Sequence, residues 1–207
     1  MVKPGEASLS ISNLPGSLVT GDYHFLIQPG YQNSGAGHWQ TIWELLYPGK
    51  FTRVEQESWD QPEKNNWINT LNRYIQRSTE PLIIVAHSLG CIAVAHWAWH
   101  FQSPNIVGAL LVAPADADRS FNQVIKAFGP VPVNRLPFPS VVVASTDDPY
   151  AATVRQAYYA AGWGSKFISI GDRGHINAAS GLGEWQEGLD ILSGQLIGKL
   201  IEINKYG

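Results

Sequence analysis

Apolar residues along this chain gather in short uninterrupted runs, separated by stretches in which they recur every three or four positions. The runs are Phe25-Leu26-Ile27, a weaker one from Phe51 to Glu55, Leu82 to Ala86, Ile106 to Ala113, Ser140 to Thr146 and Lys166 to Ile170. Runs this short, bounded by turn residues, predict six strands, and the absence of polar alternation in most of them predicts burial on both faces. Between them, Trp39, Ile42, Trp43 and Leu46 recur at i, i+3, i+4 and i+7, the spacing of one helix face. Pro62 opens a second helix on which Trp67, Leu71, Tyr74 and Ile75 share a side. Cys91 to Ala98 is apolar enough for a buried helix, and Leu189, Leu192, Leu196 and Leu200 mark a C-terminal helix from Glu184 to Asn204. Strict alternation of strand and helix predicts an α/β fold, with a mainly parallel sheet, helices on both faces and right-handed crossovers. Residues 1–22 hold Pro4, Gly5, Pro15 and Gly16 without any period, so they are expected to be an extension before a single domain spanning 23–207.

The third apolar run ends abruptly in Ala86-His87-Ser88-Leu89-Gly90. A serine with small residues two positions either side, between a strand and a helix, has the pattern of a nucleophile elbow, in which a strained turn lifts the hydroxyl clear of the backbone. Ala86 stands where the first glycine of that pattern falls. The bland alternative is a helix N-cap, a position serine also favours. What favours the elbow is the rest of the chain. The fifth run delivers Asp147 and Asp148 to its C-terminal end, and the sixth is followed by Gly171-Asp172-Arg173-Gly174-His175. Reactive groups of open α/β sheets collect outside the carboxyl ends of the strands, so Ser88, an aspartate and His175 are expected to converge there. An imidazole titrating near neutrality suits a base that takes the serine proton and later returns it. The residues alone leave Asp147 and Asp148 both open as its partner, with Asp172, Asp116 and Asp118 behind them. An oxyanion hole would use backbone amides of the residue after the nucleophile and of the loop after the first strand, which selects Leu89 and Tyr31. His38, Trp39, Trp59, Tyr150 and Trp185 lie near these loops and are candidate pocket residues. His96 and His100 are spaced i, i+4, but no glutamate or third ligand accompanies them, so no metal site is expected.

Four segments resemble a known family: Pro29 to Gln40, Ala86 to Cys91, Ser145 to Tyr150 and Gly174 to Asn177. They are similar to the small serine hydrolases grouped with retinoblastoma-binding protein nine and the bacterial YdeN proteins, within the α/β-hydrolase superfamily. The likeness runs from about residue 23 to the C-terminus. It implies a minimal α/β-hydrolase in which Ser88 is the nucleophile, His175 the base and Asp148 the acid. The segment from Asp116 through Pro130, Pro132, Pro137 and Pro139 falls roughly where larger hydrolases insert a cap domain, and it is too short for a large one.

Composition narrows the remaining classes. With 207 residues, 44% hydrophobic and 15% charged, the chain suits one soluble core. A formal net charge of −3 leaves no basic footprint for nucleic acid. No apolar stretch approaches a membrane span and the N-terminus lacks an export signal, so a cytoplasmic protein without membrane association is expected. The single cysteine, Cys91, cannot form an internal disulfide, which agrees with a reducing compartment. The expected activity is carboxylesterase-like, on small esters, amides or short peptides, with no cofactor. Two alternatives use the same residues differently. One is an acyltransferase that excludes water in favour of another acceptor. The other is a non-catalytic interaction module on a hydrolase fold, although Leu89-Gly90-Cys91-Ile92-Ala93 does not carry the Leu-x-Cys-x-Glu of pocket-protein ligands, and no protein partner can be named.

Overall fold

A computed structural model of the protein describes residues 23–198 and 200. The expected N-terminal extension, residues 1–22, and the end of the expected C-terminal helix lie outside the described residues. Six strands form one sheet: β1 His24–Gln28, β2 Phe51–Arg53, β3 Leu82–His87, β4 Ile106–Val112, β5 Ser140–Ala144 and β6 Lys166–Ser169. Their order is β2-β1-β3-β4-β5-β6, and every neighbouring pair is parallel. The helices are α1 Trp39–Leu46, α2 Lys64–Arg77, α3 Leu89–His100, α4 Gln123–Lys126, α5 Thr153–Trp163 and α6 Gln186–Ile191. The parallel α/β sheet expected from the alternation is therefore present.

Strand β3 shows why the apolar runs are continuous. Successive side chains of a strand point to opposite faces. Leu82, Ile84 and Ala86 pack into one core with Trp67 and Leu71 of α2, Ile92 of α3 and Tyr159 and Trp163 of α5. Ile83 and Val85 pack into a second core on the other face, with Trp39 and Trp43 of α1 and Leu189, Leu192 and Leu196 near the C-terminus. Both faces are dry, so neither set can be polar.

Boundaries shift by one to two residues. β2 ends at Arg53, where the Val54 amide makes the last bond to β1, donating to the Ile27 carbonyl at 2.9 Å. α2 starts after Glu63, whose carboxylate caps the amide of Asn66. α6 starts only at Gln186, since Trp185 adopts a left-handed φ of 42°, and the turns from Leu192 to Ile197 widen into a π-helix. Between Asp116 and Pro139 only α4 is regular. Among the described residues no helix is long and apolar enough to cross a membrane.

Strand order also locates the site. From β1 the chain steps outward to β2, then returns past β1 to β3 and continues the other way. The crevice between the carboxyl ends of β1 and β3 is thus a topological switch point, where open α/β sheets bind their ligands.

Candidate active site

Ser88 follows β3 at this switch point, with its amide still in the sheet ladder, donating to Val112 at 2.9 Å. Its backbone sits at φ 53° and ψ −120°, a conformation that non-glycine residues rarely adopt and that must be held by its surroundings. The surroundings are the packed ends of β1 and α3. A Cβ on Gly90 would lie 2.3 Å from the carbonyl oxygen of Gln28 and 2.5 Å from that of Pro29, so only glycine lets α3 start this close to β1. Ala86 lies in register with Gln28 and is fully buried, the small side chain that the turn requires. Although Ser88 occupies the N-cap position of α3, its hydroxyl caps nothing. It points instead at His175, whose Nε2 is 2.8 Å from Ser88 Oγ.

The other side of the imidazole faces Asp148. His175 Nδ1 is 2.9 Å from both carboxylate oxygens, and the Asp148 side chain is fully buried. Asp148 Oδ2 also accepts from Gln156 Nε2 at 2.9 Å, and Oδ1 accepts from the Tyr150 amide at 2.9 Å. Because a carboxylate only accepts, Nδ1 carries the ring proton and Nε2 presents its lone pair to the serine hydroxyl. Asp147 does different work. Its Oδ1 accepts from Ser145 Oγ at 2.6 Å and from the Gly174 amide at 2.7 Å, which ties the acid loop to the histidine loop. These two hydrogen bonds, Ser145 first, hold its carboxyl below the usual range. Asp172 accepts from Thr146 Oγ1, and Asp116 and Asp118 bind Arg155, so none of these three meets His175.

The loop after β1 lies directly on the elbow. A Cβ on Gly30 would stand 2.9 Å from Ser88 Cβ and 3.2 Å from the Leu89 nitrogen. Leu89 opens α3, so its amide has no carbonyl one turn earlier to donate to. Tyr31 follows Gly30 and lines the same cleft as Ser88. Gln32 and Asn33 take left-handed φ values of 65° and 64°, and the buried guanidinium of Arg53 holds this turn. Arg53 Nη1 donates to Asn33 Oδ1 at 2.6 Å and to the Ser34 carbonyl at 3.1 Å, while Nη2 pairs with Glu44 at 3.0 Å. Sequence reasoning missed Arg53; its only signal was a cation inside the short run from Phe51 to Glu55.

His87 was also missed. Its Nε2 donates to the His175 carbonyl at 2.9 Å, and its ring meets those of His175 and His38 edge-on at 4.9 and 4.7 Å. His38 caps α1, with Nδ1 accepting from the Gln40 amide at 3.1 Å, while its Nε2 is left without a hydrogen-bond partner among the described residues. Burial, with the nearby Arg53 and His175 adding to it, lowers the His38 pKa to about 3. Burial likewise pushes His87 well below the ordinary histidine value. Both rings are neutral at physiological pH.

A cleft of about 490 Å³ opens over Ser88, a volume typical of small-molecule sites. Of the expected pocket residues, His38 and Tyr150 line it. The three tryptophans do not. Trp39 and Trp185 are 1% and 3% exposed and pack against Trp43 in the second core, Trp39 edge-on and Trp185 stacked. Trp59 packs edge-on against Trp67, and only its carbonyl serves the site, accepting from the Gln32 amide at 3.0 Å. Trp39 acts from behind: its indole N–H donates to the carbonyl of Ile176, next to His175, at 2.8 Å. Cys91 is buried against Val112, and burial raises its thiol well above the ordinary value. His96 donates to the Phe128 carbonyl, and among the described residues no three His, Cys, Asp or Glu side chains gather in a way that could hold a metal ion.

The family model described as Serine hydrolase matches residues 25–194. Among solved structures, a YdeN-like hydrolase from Pectobacterium atrosepticum superposes with a TM-score of 0.78 at 31% identity, over 86% of this chain and 92% of that one. The ydeN gene product of Bacillus subtilis superposes with a TM-score of 0.68 at 22% identity, over 84% and 98% of the two chains. In sequence, YdeN of Bacillus subtilis, itself described as a hydrolase, is 31% identical over 87 residues, which span 40% of this chain and less than half, 45%, of that protein. These matches carry the YdeN side of the resemblance and do not show the link to retinoblastoma-binding protein nine. The chain belongs to the serine hydrolase family, as a small member built on the α/β-hydrolase fold.

Proposed function

We propose that this hydrolase cleaves small carboxylic esters through an acyl-enzyme on Ser88. The observation that carries this reading is the row Ser88 Oγ to His175 Nε2 at 2.8 Å and His175 Nδ1 to Asp148 at 2.9 Å, on an elbow strained to φ 53°. In the first half-reaction Ser88 Oγ attacks the acyl carbon while its proton passes to His175 Nε2. Asp148 stabilises the imidazolium that forms and keeps the ring in the working tautomer. The oxyanion is received by the amides of Leu89 and Tyr31, at the positive end of α3. Collapse breaks the bond to the leaving oxygen, which takes the proton from His175. Water, activated by the same imidazole, then frees the acid and restores Ser88. The residues suffice for this route without a cofactor.

The test is labelling with a fluorophosphonate followed by turnover of an ester and amide panel. Ser88 should carry the label, and Ser88→Ala should lower ester turnover by roughly 10⁴-fold or more with an unchanged circular dichroism spectrum. Near-normal turnover in that variant would remove Ser88 from the mechanism.

A further inference from the structure

The cleft over Ser88 is lined by several groups able to carry charge, and all but one are already satisfied or neutral. His38 and His87 are buried and neutral. Asp116 is bound by Arg155 at 2.9 and 3.1 Å and by the Tyr159 hydroxyl at 2.9 Å. Burial alone would raise the Asp116 carboxyl, but these donors outweigh it and keep it ionised. Arg155 in turn spends its fork on Asp116 and Asp118. Arg119, three residues further along the same loop, also lines the cleft. It is exposed and makes no side-chain hydrogen bond or ion pair among the described residues; its charge reaches Asp116 only through space.

The loop that carries Arg119 starts at the elbow. The Ala115 amide donates to the Ser88 carbonyl at 3.3 Å, and the Arg119 amide folds back to the Asp116 carbonyl at 3.3 Å. Arg119 and Ser88 line the same cleft of about 490 Å³, so a chain attached at Ser88 and an anion paired with Arg119 would share one cavity. The same lining carries apolar Ala115, Ile125 and Pro149 and two rim aromatics, Phe121 at 99% and Tyr150 at 66% exposure, beside polar Ser120 and Asn122. Both aromatics line the cleft, so an apolar spacer bound there would remove part of their rings from water.

We infer that the cleft takes esters bearing a carboxylate remote from the scissile bond, which pairs with Arg119 while Phe121 and Tyr150 cover the apolar spacer. This rests on the hydrolase reading above. The carboxylate can belong to the acyl part or to the alcohol part, and two substrate pairs separate these sources. The acyl arm compares mono-4-nitrophenyl adipate with 4-nitrophenyl hexanoate. The alcohol arm compares 4-(carboxymethyl)phenyl hexanoate with 4-ethylphenyl hexanoate. In at least one arm the kcat/KM ratio of anionic to neutral ester should fall about two- to fivefold in Arg119→Gln, the range of a solvent-exposed ion pair, and further in Arg119→Glu. Ratios that are the same in all three proteins in both arms, with turnover still dependent on Ser88, overturn the inference and leave the hydrolase reading standing. If no turnover depends on Ser88, that reading fails, and binding decides the inference. Monomethyl and dimethyl adipate are then titrated into Ser88→Ala by ligand-observed NMR. A preference for the monoanion that Ser88→Ala/Arg119→Gln loses supports the carboxylate site; equal affinities overturn it.

Discussion

Replacing His38 by Asn should remove about 2 kcal/mol of acid sensitivity from the folding equilibrium between pH 8 and pH 5. The reasoning starts from burial. In the unfolded chain His38 titrates at the ordinary histidine value of 6.5, whereas in the fold burial, Arg53 and His175 lower it to about 3. Over the interval between these values the unfolded chain binds a proton that the folded protein refuses, so stability falls as the pH falls. At pH 8 neither state is protonated. At pH 5 the solution lies 1.5 units below the unfolded value of 6.5 and still well above about 3. At about 1.4 kcal/mol per unit this amounts to about 2 kcal/mol. The result barely changes if the folded value is a unit higher or lower, because pH 5 stays above it.

Asn suits the test because it keeps an acceptor for the Gln40 amide that His38 Nδ1 now caps, while it cannot titrate. Loss of the ring packed against His87 shifts stability by the same amount at every pH, so it cancels in the comparison. Urea unfolding at pH 8, 7, 6 and 5 measures it. Wild-type protein should lose about 2 kcal/mol more than His38→Asn across that range. Residual acid sensitivity in the variant is expected from His87, which burial also keeps neutral. Parallel curves for the two proteins would mean that His38 is not held neutral in the fold, and the argument from its burial would fail.

The acid assignment is tested by comparing Asp148→Asn with Asp147→Asn. The first should lower kcat by about 10⁴-fold by releasing the His175 tautomer, whereas the second loosens only the bonds to Ser145 and Gly174 and should retain far more activity; the reverse order refutes the assignment. The ester kcat/KM should decline on acidification with a slope of one, because the base must be unprotonated in the free enzyme while burial holds His38 and His87 neutral. A slope approaching two would show that a second histidine of the cluster titrates with the base, and a rate flat from pH 5 to 9 with chemistry limiting would exclude His175 from that role.

The parts of this protein legible in its sequence are those whose chemistry depends on local order along the chain. An apolar run that stops at a serine flanked by Ala86 and Gly90 fits a tight strand-to-helix turn, and Gly90 is explained by the few ångströms that a Cβ there would leave to the carbonyls of Gln28 and Pro29. The order of serine, aspartate and histidine after successive strands carries over into space because parallel strands bring all their carboxyl ends to one edge. The illegible parts depend on where a side chain points once elements pack. Trp39, Trp59 and Trp185 stand near the right loops, so chain proximity placed them in the cleft, yet the fold turns each ring into a core. The direction is chosen by neighbours distant in sequence: the Trp39 indole finds the Ile176 carbonyl 137 residues away. His87 is the converse case. Its position beside Ser88 gave no reason to expect contact with His175, because that contact is made to a backbone carbonyl on a loop 88 residues later. A site of this kind is therefore half encoded in motif residues and half in polar side chains that brace the motif's backbone. Arg53, His87 and Trp39 all act by holding main-chain groups of the two loops that converge on Ser88. Main-chain carbonyls have no letter in the sequence, so their partners resemble ordinary strand and helix residues until the fold is known.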